Sequence, residues 1–117
     1  MNDNYIISNS PTTAFGGIYS LIDENGKRYI GSSKNIKKRV AFHSLHFKLF
    51  LRDGADGYVN PAMKDALKKG SRFRCEVLAS FNCELSSREL REIERVFIVK
   101  FGGYKQLYNH SIITHRI

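Results

Sequence analysis

Arg39 and His43 stand four residues apart, so on a helix their side chains share one face. The planar Arg39 guanidinium can grip a phosphate at two points, and His43 can take or give a proton near neutral pH. A single Arg–His pair at this spacing is common by chance and defines no site alone. Glu94 lies among Leu90, Ile93, Phe97 and Ile98. A carboxylate beside an apolar stripe needs solvent or a partner, because burying it bare is costly. Three placements fit: a boundary position reaching water, an ion pair with Arg91 or Arg95, or a metal ligand. Tyr19 and Tyr29 are flanked by Gly17 and Gly31, which let a backbone or ligand approach closely. The bland alternative is that both tyrosines pack as strand aromatics. From Gly26 to Arg52 there are eight basic residues (Lys27, Arg28, Lys34, Lys37, Lys38, Arg39, Lys48 and Arg52) and no acidic one. Such a run either contacts phosphates or is a solvated helix face, and composition does not choose between them.

The elements that must position these residues follow from periodicity. Aromatic and β-branched residues over 15–22, an Asn25-Gly26 turn and a return over 27–30 predict a β-hairpin carrying both tyrosines. A helix is expected to open at 33–35 and run to about 50, with Ile36, Val40, Phe47 and Leu51 as its apolar stripe. Asn60-Pro61 has the form of an N-cap and first helical residue, and Gly70 suits the end of that short helix. Alternation over 72–81 predicts a third strand with Phe73, Cys75, Val77 and Ala79 on one face. Ser86 and Glu89 have capping-box spacing, ahead of a helix with Leu90, Ile93, Phe97 and Phe101 inward. A short edge strand is expected around 107–109. The order is β-β-α-α-β-α, an α/β (α+β) domain with a three-stranded, mostly antiparallel sheet flanked by helices.

The 117 residues suit one domain and suffice to bury a core without disulfides or a structural metal. Nineteen Lys and Arg against eleven Asp and Glu give a net charge of +8, which makes a polyanion the leading partner. The two cysteines, Cys75 and Cys83, argue against a disulfide scaffold or a Cys-rich zinc site. No apolar run is long enough to span a membrane, and the first residues lack the pattern of a signal peptide, so the expected compartment is intracellular and cytoplasmic. The polar, turn-rich stretch 1–14 reads as a loose arm.

Two tripeptides gather these observations. Gly17-Ile18-Tyr19 and Tyr29-Ile30-Gly31, ten residues from tyrosine to tyrosine, resemble the signature that names the GIY-YIG nuclease family. Asn35-Ile36-Lys37-Lys38-Arg39 followed by His43 is similar to that family's first helix, Glu94 with Phe97-Ile98 to its metal-binding helix, and Tyr108-Asn109 to its closing Asn. The resemblance covers 15–112, leaving 113–117 as a tail. Residues 60–78 also resemble the middle of homing-endonuclease catalytic domains.

The resemblance implies a metal-dependent hydrolase of phosphodiester bonds, with magnesium, or manganese in its place, as cofactor. Glu94 would hold the ion, and one carboxylate can suffice because magnesium keeps several of its waters. The ion would polarise the scissile phosphate and stabilise the leaving 3′ oxygen. Arg39 would neutralise charge that builds on the phosphate. Tyr19 would accept the proton of the attacking water. A phenol is a poor base unless its phenolate is stabilised, so Tyr19 and His43 both stand as base. Tyr29 and His43 would orient the water or relay the proton, and Asn109 would act as an orienter. Ser32, Lys34, Lys37, Lys38 and Arg39 would contact the nucleic acid, although Ser32, Ser33 and Lys34 also suit a plain turn and cap. The implied partner is DNA, with RNA a second substrate class. One such site cuts one strand at a time, so the chain would act alone, as a homodimer, or as the catalytic half of an enzyme with a separate DNA-reading domain. Residues 44–58 are where substrate-reading contacts are expected. The competing reading is a non-catalytic nucleic-acid-binding module, which gains nothing from a carboxylate facing phosphates.

Overall fold

Capped helices and one tight hairpin build most of this chain. The computed structural model describes residues 6–109, in the order β1 (Ile7–Ser8), β2 (Gly16–Asp23), β3 (Arg28–Ser33), α1 (Ile36–Asp53), α2 (Pro61–Lys68), β4 (Phe73–Phe81) and α3 (Ser87–Lys100), then a 3₁₀ turn at Tyr104–Gln106. Residues 1–5 of the expected arm and the expected tail 113–117 lie outside the described residues.

The sheet runs β1-β4-β2-β3, with β2 antiparallel to both β3 and β4 and β1 parallel to β4. It therefore has four strands and is mixed, where the sequence predicts three. The fourth, β1, comes from the stretch read as an arm. Ile6 and Ile7 are buried, and Ile7 pairs with Phe73. Two apolar residues are too short a run for periodicity to register, and their burial repays the ordering of the segment. Thr13 and Phe15 also accept the otherwise unpaired N–H groups of Lys37 and Ile36 at the start of α1.

Central strand β2 is buried on both faces. Tyr19 and Leu21 face Ile36, Val40 and Phe47 of α1 and Met63 and Leu67 of α2. Ile18, with Ile30 of β3, faces Ile98 of α3 and Leu107. The two cores thus fix α1 and α3 on opposite sides of one hairpin.

Local chemistry sets the helix ends. Asn35 caps α1 by accepting from Lys38 N at 3.0 Å, and Gly54, with φ 82°, closes it by donating to Phe50 O at 2.7 Å. Asn60 accepts from Ala62 N and Met63 N ahead of Pro61, and the Ser86–Glu89 capping box forms as expected. Two side-chain assignments change. Phe50, not Leu51, completes the buried stripe of α1, and Leu51 is exposed. In β4 the register steps from Ile18↔Ala79 to Tyr19↔Val77, so Leu78 is an extra residue and the alternation breaks. Phe73 and Cys75 face the α1 core, Val77 is exposed, and Leu78 and Ala79 pack toward α3. Residues 107–109 form an isolated parallel bridge, Arg28↔Leu107, and not a strand.

Candidate active site

A cleft of about 230 Å³ opens where β3 passes between α1 and α3, lined by Tyr19, Tyr29, Ser32, Ser33, Lys34, Arg39, Ser87, Leu90, Arg91 and Glu94. Each wall has a local cause. The antiparallel hairpin pairs Tyr19 with Gly31, and the Tyr19 ring lies across that glycine: a Cβ on Gly31 would overlap the phenol oxygen. Gly17 has the same logic on the other side, since a Cβ there would strike the Ala79 backbone carbonyl. The two glycines of the paired tripeptides thus let β4 and the Tyr19 ring close on the hairpin.

Tyr19 and His43 are joined directly, with the phenol oxygen 2.7 Å from His43 Nε2. The rings of Tyr19, Tyr29 and His43 form a triangle with centroid separations of 6.4, 5.7 and 5.6 Å. Tyr19 is buried, while Tyr29 and His43 are partly buried. Burial pushes the Tyr19 phenol well above its usual range, with neighbouring Tyr29 adding to the rise and the Arg39 guanidinium offsetting part of it. Burial, helped by the Glu94 charge, takes Tyr29 to about 12. Burial likewise lowers His43 to about 3, with Arg39 and His46 adding repulsion to its cation. Both tyrosines are therefore phenols and His43 is neutral at pH 7.

Glu94 projects from the second turn of α3 toward β3 and accepts a hydrogen bond from Ser32 Oγ at 2.6 Å. Burial raises its pKa, and the Ser32 bond, followed by Arg91, Arg95 and Arg39, counters the rise. Of the three placements open from sequence, the Arg ion pair is not formed, since among the described residues no salt bridge reaches Glu94; half-buried and lining the open cleft, it keeps both the boundary position and the metal-ligand reading. No group of three or more His, Cys, Asp or Glu gathers anywhere among the described residues. A metal here would have Glu94 as its one acidic ligand from the cleft. That donor set suits magnesium, a hard cation that takes one or two carboxylates and retains water, and it does not suit zinc.

The remaining expected residues divide. Arg39 is exposed and lines the cleft, its guanidinium 5.2 Å from the Phe42 ring centroid. Lys34 lines the cleft as well. Lys37 instead lines a separate groove beside Ser10 and Pro11, and Lys38 is an exposed residue outside the cleft lining. Arg28 pairs with Glu76 at 2.8 Å, Lys27 covers the Tyr108 ring and Arg52 pairs with Asp53, so the basic run does not act as one patch. Asn109 is not in the cleft lining. Its side chain accepts from Ile30 N at 2.9 Å and donates to Ile30 O at 2.7 Å, replacing a missing neighbour strand along β3. Arg91 and Ser87 were missed as cleft residues. Arg91 was legible in principle, since it precedes Glu94 by one helical turn.

The whole arrangement has relatives. Residues 15–109 match the family model described as the GIY-YIG catalytic domain, and the chain belongs to the GIY-YIG family. Its α+β fold, with a mixed sheet and three helices, is similar to a solved structure, the catalytic domain of homing endonuclease I-TevI. The TM-score is 0.65 at 26% sequence identity, covering 82% of this chain and 98% of that one. The comparison with curated proteins gives no match. Family and fold together support a nuclease.

Proposed function

We propose that this chain is a divalent-metal-dependent endonuclease that hydrolyses DNA phosphodiester bonds. One observation carries the reading: one cleft is lined by a phenol that hydrogen-bonds an imidazole behind it, by an exposed guanidinium and by a half-buried carboxylate. The match to a homing-endonuclease catalytic domain supports DNA as substrate.

Arg39 and Lys34 bind and orient the phosphate, and Arg39 neutralises charge that accumulates on its oxygens as the attacking water closes in. Glu94 would hold a magnesium ion, which would supply Lewis-acid activation and charge neutralisation at the phosphate. Tyr19 and His43 act as one proton-accepting unit. With the Tyr19 O–H donating to His43 Nε2, the phenol oxygen can accept a proton from water on its cleft side. As that proton arrives, the phenol proton passes to His43, so no free phenolate forms. The water oxygen bonds to phosphorus while the bond to the 3′ oxygen breaks, and the departing 3′ alkoxide takes its proton from solvent. A bound phosphate's negative charge favours the imidazolium and offsets the burial that disfavours it in the empty cleft. Tyr29 packs against both rings of the pair at the cleft wall. Ser32 holds Glu94 in its orientation.

The test is cleavage of supercoiled plasmid, linear duplex and single-stranded DNA by wild type and Glu94→Ala, each in magnesium and in EDTA. The reading predicts cutting by wild type in magnesium alone. A wild type inert on every DNA in magnesium would end it for DNA.

A further inference from the structure

Beyond the cleft, α1 carries a second feature that hydrolysis does not use. Phe42 and His46, one turn apart, pack with ring centroids 4.2 Å apart and planes tilted by 45°, and Tyr58 from the α1–α2 loop closes against both, edge-on to Phe42 at 5.3 Å and tilted to His46 at 4.8 Å. The loop is pinned to hold this shape. Asp56 bonds His46 Nδ1 at 2.8 Å and accepts from the Tyr58 backbone N–H at 2.8 Å, while Val59 is buried beneath. Tyr58 nonetheless remains 72% exposed. A large aromatic ring fixed in place yet left in water loses little further freedom on binding, which suits a docking contact. The cluster also has a direction. Phe42 lies under the Arg39 guanidinium, and Arg39 lines the cleft.

We infer that the Phe42–His46–Tyr58 cluster, through the exposed Tyr58 ring, is a stacking platform for an unpaired nucleobase of the DNA strand whose phosphate lies at Arg39. The inference rests on the nuclease reading for its polyanion, and it names the form of the substrate. Aromatic rings stack any base through its π-face, but bases within a duplex already stack on each other. A base on Tyr58 must come from a single strand or from a locally opened duplex. Continuity with Arg39 argues for nucleic acid over an apolar protein segment, because the occupant must carry an anion next to a flat ring. The expected preference is for a substrate unpaired beside the cut.

The test is binding in EDTA, where nothing is cut, using a fluorescently labelled single-stranded oligonucleotide and a matched duplex. A set of strands with one abasic position moved stepwise completes the panel. Tyr58→Ala should weaken single-strand binding about tenfold to a hundredfold, the range expected for one lost base–aromatic stack, and leave duplex binding unchanged. Tyr58→Phe should bind as wild type. Wild type should lose affinity at one or two abasic positions, and Tyr58→Ala should be blind to them. Equal binding by Tyr58→Ala and wild type, or an equal loss on duplex and abasic strands, overturns the platform. A wild type that cuts no DNA yet shows the Tyr58-dependent, base-dependent contact would sink the nuclease reading and leave the platform standing.

Discussion

Asn109 separates a scaffold role from a chemical one. Its carboxamide satisfies both the N–H and the C=O of Ile30, at 2.9 and 2.7 Å, and Ile30 is fully buried. Asn109→Ala strands two backbone groups on the outer side of β3. Each unsatisfied buried group costs about 1–3 kcal/mol, and the position at a sheet edge, where water can partly enter, favours the lower half of that range. The sum is about 2–4 kcal/mol, a large part of the roughly 5–15 kcal/mol that holds a domain of this kind together. At about 4 °C per kcal/mol for a domain of this size, the melting midpoint should fall by about 8–16 °C. Asn109→Asp keeps an acceptor for Ile30 N–H but loses the donor, and should fall between the two. The assay pairs a thermal or urea melt with cleavage measured well below the midpoint of the weakest variant. Cleavage per folded molecule should stay close to wild type. An unchanged midpoint with abolished cleavage would refute the reasoning and move Asn109 into the reacting centre.

Other outcomes follow from the same geometry. Gly31→Ala must displace the Tyr19 ring, so it should cost about 1–3 kcal/mol of overpacking and also lower cleavage, read by a melt and a plasmid assay. Tyr19→Phe removes the proton-accepting oxygen and leaves the ring, so cleavage should drop about 10²–10⁴-fold while circular dichroism is unchanged. His43, lowered to about 3 in the fold, takes its proton in the unfolded chain first. Its neutral form therefore contributes stability that is present above about pH 6.5 and lost as pH falls toward 3, with a slope of at most about 1.4 kcal/mol per pH unit. Urea melts across that window should show a shallower acid loss for His43→Asn than for wild type.

Much of this site was readable before the fold was known because its parts are local. The Asn25-Gly26 turn fixes the hairpin, the hairpin register sets Tyr19 against Gly31, and the helix periods place Arg39 and His43 on one face. What sequence could not show depends on contacts between distant segments. The Ser32–Glu94 bond joins residues 62 positions apart, and no local pattern encodes it. The same holds for the β1–β4 pair and for Asn109 on Ile30. The bulge at Leu78 was hidden because Val77, Leu78 and Ala79 are all apolar and each suits an inner face; only the pairing with β2 reveals the extra residue. The basic run misled for a related reason. Arg28 finds its partner in distant Glu76, and Arg52 finds its own in Asp53, one residue beyond the run.

Glu94 carries the central claim. Glu94→Gln keeps an oxygen to accept from Ser32 Oγ and removes only the charge, so the fold and the cleft should persist. The decisive measurement is the single-turnover rate of plasmid cleavage for wild type and Glu94→Gln across a magnesium titration, with both proteins shown to melt alike. The account predicts magnesium-dependent cutting by wild type and a loss of about 100-fold or more in the variant, matching several kcal/mol of lost charge stabilisation. Equal rates for the two proteins, or wild-type cutting undiminished in EDTA, would contradict it.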